Sequence, residues 1–182
     1  INSLKKIYID ENNNIIIGSM ASFTSVFRDE IINENIYALA EAAVSMGGPQ
    51  VRNVATIGGN VCNGAVSADS ASTLFALNAK LKLETSEGVR VIPIEDFYLG
   101  PGRVAINKNE ILTEIIIEEE SYKDYFSNYI KFSNRKAMDI AMLGVSVNGK
   151  FSEGTIKDLR IALGAAAPTP IRCKEAENYA KN

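Results

Sequence analysis

Thr56, Gly58, Gly59 and Asn60 lie in a stretch, VRNVATIGGNVCNGAVSADSAS from Val51 to Ser72, that is bland in acids, bases and nucleophiles yet rich in residues that bind. Adjacent glycines reach backbone conformations in which successive N–H groups converge on a phosphate or a polar ring without any charged side chain. Thr56 and Asn60 flank the pair with a hydroxyl and an amide, which bond carbonyls, ring nitrogens or phosphate oxygens. Asp69, further along, offers a carboxylate to sugar hydroxyls or, with Ser67 as the alternative, an N-cap to a helix. The spacing in TIGGN lacks the G-x-G-x-x-G of a dinucleotide fingerprint, and no Walker lysine follows. Taken alone, a Gly-Gly pair marks a plain turn more often than a ligand cradle.

The rest of the composition points the same way. The chain has no histidine, which removes the commonest general base and the commonest metal ligand. Cys62 and Cys173 are far apart and match no metal-ligand spacing, so the expectation is two unpaired thiols and no metal held by this chain. Chemistry would then belong to a bound cofactor that the protein orients. A net charge of -3 lacks the clustered Lys and Arg of a nucleic-acid surface. No apolar run reaches the length of a membrane span, and INSLKKIYIDENNN has no apolar stretch of a secretory signal. The expectation is no nucleic-acid partner, no membrane and a cytoplasmic location. The chain opens on Ile1 rather than Met and stops within RCKEAENYAKN, as a piece of a longer protein would.

The elements that must position these residues follow from the pattern. Ile15 to Ile17 reads as a strand ending at Gly18. Ser22 or Thr24 caps a helix through Arg28 to Ile32, and a second helix puts Ile36, Leu39, Ala40, Ala43 and Val44 on one face before Gly47 and Gly48 stop it. From Val51 to Ser67 no helical or strand period survives, the profile of an ordered loop. A helix carrying Leu74, Phe75 and Leu77 comes next. AKLKLETS and VRVIPI alternate as an antiparallel pair with one wet face, FYLGPGR is a turn, and EILTEIIIEEE is a strand whose end, Glu118 to Glu120, is solvated. NYIKFSNRK, IAMLGVSVNG and TIKDLRIALGAA read as three further strands, with a helix from Arg172 to Lys181 after Pro168 and Pro170. Strand runs with segregated helices favour an α+β fold.

Several motifs in this order carry a resemblance. VRNVATIGGNVCNGAVSADSAS, then LNAKLKL, VIPIEDFYLGPG, EILTEI, KFSNRKAMDIAMLGVSV and LRIALGAAAPTPIRCKEAE closely resemble the FAD-binding (medium) subunits of molybdenum hydroxylases, and among those are similar to the bacterial xanthine dehydrogenase type. The resemblance implies an α+β fold: a mixed or antiparallel-sheet FAD-binding lobe of the molybdopterin dehydrogenase kind over residues 1–121, then a small α+β domain like the CO dehydrogenase flavoprotein C-terminal domain over 122–182. It implies FAD as cofactor, held by Thr56, Ile57, Gly58, Gly59 and Asn60 at the glycine motif, by Asp69, by Leu112 near the ring, by Lys131 and, more weakly, by Asn63. Leu112 doubles as core, Asp69 within this motif is expected to cap the helix and meet the cofactor as well, and Lys131 carries its assignment only through the resemblance, since a strand lysine is ordinarily solvated.

The same resemblance implies partners and a role. A molybdopterin-binding large subunit would hydroxylate a heterocycle in purine metabolism, and an iron-sulfur small subunit would pass electrons to FAD and on to NAD. The alternatives are a non-catalytic assembly module of that complex or a stand-alone FAD-dependent oxidoreductase. A second glycine-rich loop, cradling the pyrophosphate, is expected upstream of Ile1, and the helical end of the last domain beyond Asn182. Ala65 and Val66 stand where many relatives carry Ser-Pro. The Arg135, Lys136 and Asp139 cluster reads as a surface ion pair, with contact to nicotinamide or a partner as the alternative.

Overall fold

The computed structural model describes residues 1–181. Strands β1 (Ile7–Ile9) and β2 (Ile15–Gly18) form a hairpin whose turn is built from DENNN. Asp10 accepts from the backbone N–H groups of Asn12 and Asn14, and Asn13 takes a φ of 60°, a turn suited to short polar side chains. The whole of β2 is buried.

The helix expected through Arg28 to Ile32 is two helices, α1 (Phe23–Arg28) and α2 (Glu30–Asn35). Ser22, not Thr24, caps the first, and Asp29 interrupts it in an extended conformation and caps the second. Capping residues thus divide what apolar spacing would join. Helix α3 (Tyr37–Ser45) buries Leu39, Ala40 and Ala43 as expected. Val44 is instead exposed, while Ala38 and Ala42 are buried, because a second sheet covers the other side of α3.

The largest departure falls between Val51 and Ser67. Helices α4 (Pro49–Val54) and α5 (Ile57–Cys62) occupy much of the stretch that reads as a loop. Pro49 starts α4, where its fixed φ suits the first turn, and Thr56 caps α5. Six residues make too few turns to display a period, so patterning misses both. Helix α6 (Asp69–Ala76) is buried along its full length, and no side chain caps it: its N-cap position is Ala68, with Asp69 already inside the first turn. The capping role expected of Asp69 or Ser67 is not found.

Strands β3 (Lys80–Glu84) and β4 (Val89–Pro93) make the expected hairpin with Leu81 and Leu83 inward. FYLGPGR folds as a small ribbon of β5 (Tyr98–Gly100) and β6 (Arg103–Val104). Strand β7 (Ile111–Ile117) completes an antiparallel sheet in the order β1-β2-β7-β3-β4. One face of it, with Ile15, Ile17, Leu81, Leu83, Ile115 and Ile117, shares a single core with Phe23, Leu39, Ile57 and Leu74 of the helices. Glu119 and Glu120 lie in a one-turn helix, α7 (Glu119–Tyr122), rather than on a strand end, and Glu118 pairs with Lys80.

A second antiparallel sheet, in the order β11-β10-β9-β8, holds β8 (Tyr125–Phe132), β9 (Leu143–Ser152), β10 (Thr155–Gly164) and β11 (Ile171–Arg172), with α8 (Lys174–Lys181) packed on β10. Strand β8 meets α3, and β9 and β10 meet α6. The register aligns Lys131 with Gly144 and Gly164, Tyr129 with Ser146 and Ala162, and Ser127 with Asn148 and Arg160. Those small and polar residues form the buried side of the sheet. The architecture is α+β with antiparallel sheets, as the sequence leads one to expect.

Asp158 ties the second sheet to α8, accepting from Tyr125 at 2.8 Å, Arg160 at 2.9 Å and Lys181 at 2.5 Å. Burial opposes its ionisation, but the hydrogen bonds from Lys181 and Tyr125 and the charge of Arg160 outweigh it and hold the carboxyl at about 2, below the ordinary 3.8. A depressed carboxyl contributes stability above its unfolded pKa and loses it as pH falls through the folded value. Asp158→Asn in the full-length protein is therefore expected to lower stability at pH 7 by about 1–2 kcal/mol, after allowance for partial solvent screening. The deficit should shrink between pH 4 and pH 2, values set by this pair of pKa values, when urea midpoints are compared across pH.

Candidate functional site

Thr56 starts α5 next to the end of β2. The backbone N–H groups expected to converge on a ligand are already engaged: Ile57 donates to Ala21 O at 3.0 Å, Gly58 to Ser19 O at 2.9 Å, Gly59 to Thr56 Oγ1 at 3.1 Å and Asn60 to Thr56 O at 3.0 Å. Neither Gly58 nor Gly59 has a positive φ. The glycine pair is therefore no anion nest, because the segment closes into a helix whose first-turn donors find partners within the protein.

Space, not backbone torsion, explains the two glycines, and differently for each. A Cβ on Gly58 would come within 2.6 Å of both Cβ and the carbonyl oxygen of Ser19, so Gly58 lets α5 lie against the main chain after β2. Gly59 is exposed, and a Cβ there would meet only the Thr56 hydroxyl, at 3.0 Å, which a few tenths of an ångström would relieve. Glycine inside a helix costs about 1 kcal/mol relative to alanine. At Gly59 the contact with that capping hydroxyl is the one a Cβ would add, so the position presents an exposed stretch of helix with no side-chain bulk.

Around this point the other expected residues divide. Asn60 accepts from Ser70 at 2.7 Å through Oδ1, which joins α5 to α6 and leaves its amide end to donate. Asn63 is exposed at the far end of α5. The side chains of Ile57 and Leu112 are buried in the main core, where α5 packs beside β7.

Asp69 and Lys131 come together although 62 positions separate them. Lys131 Nζ lies 3.0 Å from Asp69 Oδ2 and 3.2 Å from the carbonyl of Ser45, the last residue of α3. Both side chains are nine-tenths buried, so Lys131 is not a solvated strand lysine. Tyr129 donates to the other oxygen, Asp69 Oδ1, at 3.0 Å. Burial raises the Asp69 carboxyl above its ordinary value, and the bonds and charge of Lys131 and the Tyr129 hydroxyl only partly counter it. Tyr129 escapes the sequence reading; its signal is the spacing to Lys131, since residues two apart on a strand share a face.

Beside Lys131 the loop after β8 lines a cavity of about 340 Å³ with Ser45, Ser133, Asn134, Arg135 and Lys136. Arg135 pairs with Asp139 at 3.4 Å at the surface, as the sequence suggests. Cys62 and Cys173 are both unpaired, and among the described residues no cluster of His, Cys, Asp and Glu could hold a metal. Burial pushes the Cys62 thiol above its ordinary value.

The chain belongs to the family described as the FAD binding domain in molybdopterin dehydrogenase, which matches residues 1–118, and residues 128–182 match the CO dehydrogenase flavoprotein C-terminal domain. FAD is the cofactor of that family. The chain is 42% identical over 179 residues to the xanthine dehydrogenase FAD-binding subunit of Escherichia coli O157:H7, covering 98% of this chain and 61% of that protein. It is 33% identical over 171 residues to the nicotinate dehydrogenase FAD-subunit of Eubacterium barkeri, covering 92% of this chain and 57% of the relative. A carbon monoxide dehydrogenase structure from Hydrogenophaga pseudoflava superposes with a TM-score of 0.92 at 31% identity, covering 99% of this chain and 62% of that one. The chain thus spans about three fifths of the length of the curated relatives it matches. No helix among the described residues is long and apolar enough to cross a membrane.

Two outcomes follow for the full-length protein. Gly58→Ala should cost about 1–3 kcal/mol by overpacking against Ser19, whereas Gly88→Ala, with open space around its Cβ, should stay within about 0.5 kcal/mol of the parent in chemical denaturation. Lys131→Met should cost about 3–5 kcal/mol because it strands the buried Asp69 charge, and adding Asp69→Asn should restore part of that loss.

Proposed function

We propose that this chain is the FAD-holding part of the electron-transfer subunit of a xanthine-dehydrogenase-like molybdenum hydroxylase, organised as a FAD-binding domain over 1–121 and a second domain over 122–182. In the complex it lies between an iron-sulfur small subunit, which delivers electrons, and NAD, which removes them. A molybdopterin-binding large subunit oxidises the heterocycle. The setting is cytoplasmic and the pathway that of purines.

The observation that carries the reading is Gly59: an exposed helical glycine, where a Cβ would meet only the Thr56 hydroxyl, at the centre of the motif that carries the resemblance. The flavin ring, when bound, accepts electrons singly and releases them as a hydride, so the protein need supply only position and electrostatics. Thr56 and Gly58 set α5 at the end of β2, Gly59 clears the approach, and Asn60 presents its amide end. Asn63 extends the same edge. Asp69 keeps lone pairs for sugar hydroxyls beyond the two donors it already accepts, and Lys131 places a cation beside them. Ile57 and Leu112 act from the core beneath, fixing the floor of the site. No proton transfer by the protein is needed, in keeping with a chain that has no histidine.

The test is the visible absorption of flavin in the purified full-length subunit. The parent should be yellow, and Gly59→Val should lose at least about tenfold in FAD affinity, the equivalent of 1.4 kcal/mol, while its urea midpoint as apoprotein stays near the parent's. Full flavin occupancy in Gly59→Val would refute this placement. A colourless parent that still assembles with its partners would favour the assembly-module reading.

A further inference from the structure

Tyr129 belongs to no part of the glycine motif and reaches the site only through its bond to Asp69. Three elements nevertheless fix it. Its ring is buried with Ala38 and Ala42 of α3, its backbone N–H donates to Glu41 of α3 at 3.0 Å, and its hydroxyl donates to Asp69 Oδ1 at 3.0 Å. Strand β9 makes room for the hydroxyl: a Cβ on Gly144 would lie 3.2 Å from Tyr129 Oη. A large side chain has thus been fitted so that its one polar atom reaches one carboxylate oxygen.

We infer that Tyr129 is a positioning residue for the cofactor site, holding Oδ1 of Asp69 so that the carboxylate cannot rotate about its bond to Lys131. The inference rests on the reading of Asp69 as a cofactor contact. Without the Tyr129 hydroxyl, Lys131 would be the only side-chain donor left to Asp69 among the described residues. The carboxylate would then turn toward Lys131 and take up a proton at higher pH, because burial already works against its charge. Tyr129 itself stays a donor throughout, since burial and the neighbouring Asp69 charge push its phenol far above the ordinary range. The other charged groups near the pair are Glu41, turned to the backbone of Tyr129, and Arg135, Lys136 and Asp139 around the cavity next to Lys131.

The experiment is a fluorescence titration of the full-length apo-subunit with FAD at pH 6, 7 and 8. Tyr129→Phe should bind FAD up to about tenfold more weakly than the parent, the loss of one hydrogen bond to a charged group, and its deficit should be larger at pH 6 than at pH 8. Gly144→Ala, which crowds the hydroxyl without touching Asp69, should shift the profile in the same direction. A Tyr129→Phe profile that overlays the parent's overturns the inference while leaving the cofactor site in place. An Asp69→Asn subunit with unchanged affinity instead overturns the cofactor reading of Asp69, and this role for Tyr129 with it.

Discussion

The buried ion pair between Asp69 and Lys131 joins the first sheet and its helices to the second sheet, linking α6 to β8. Taking two charges out of water is expensive, and their attraction offsets it only where geometry and further hydrogen bonds complete the set. Here Ser45 and Tyr129 complete it, one on each side. The main apolar core lies almost wholly between the first sheet and the helices, while the joint with the second sheet is lined by Gly144, Ser146, Asn148, Ala162 and Gly164. A joint so poor in large apolar side chains takes its specificity from polar contacts, and the pair fixes how α3, α6 and β8 meet.

The start of α5 obeys a different constraint. A cofactor loop made of converging N–H groups would need those donors free, and in this chain they are bonded to Ser19, Ala21 and Thr56. What α5 offers a ligand is absence of bulk: one glycine lets the helix sit on the main chain behind it, and the next leaves its front open. Close approach and rigid support are separable tasks, and adjacent residues divide them.

These features suit a protein whose reaction resides in its cofactor. A redox ring needs a surface that does not move, a defined edge for its polar groups and no competing proton donors of its own kind. The Asp-Lys-Tyr cluster supplies fixed charge, and the core beneath α5 supplies rigidity.

Residue order by itself determined the longer strands, β2, β3, β4 and β7 to β10, whose patterning is local, though not the two- and three-residue strands β1, β5, β6 and β11; it also determined the α+β class that follows from their grouping and, through motif order, the family and its cofactor. The same local information located α3 and the hairpin of β3 and β4. It could not show α4 and α5, since six-residue helices carry no readable period and are stabilised by a proline, a capping threonine and contacts from elsewhere. Nor could it show that Asp69 leaves the capping role for Lys131 and Tyr129, because that choice depends on the second sheet packing over α3 and α6 and burying all three side chains. Burial makes an unpaired charge too costly to leave, and only the tertiary structure decides which distant group answers it.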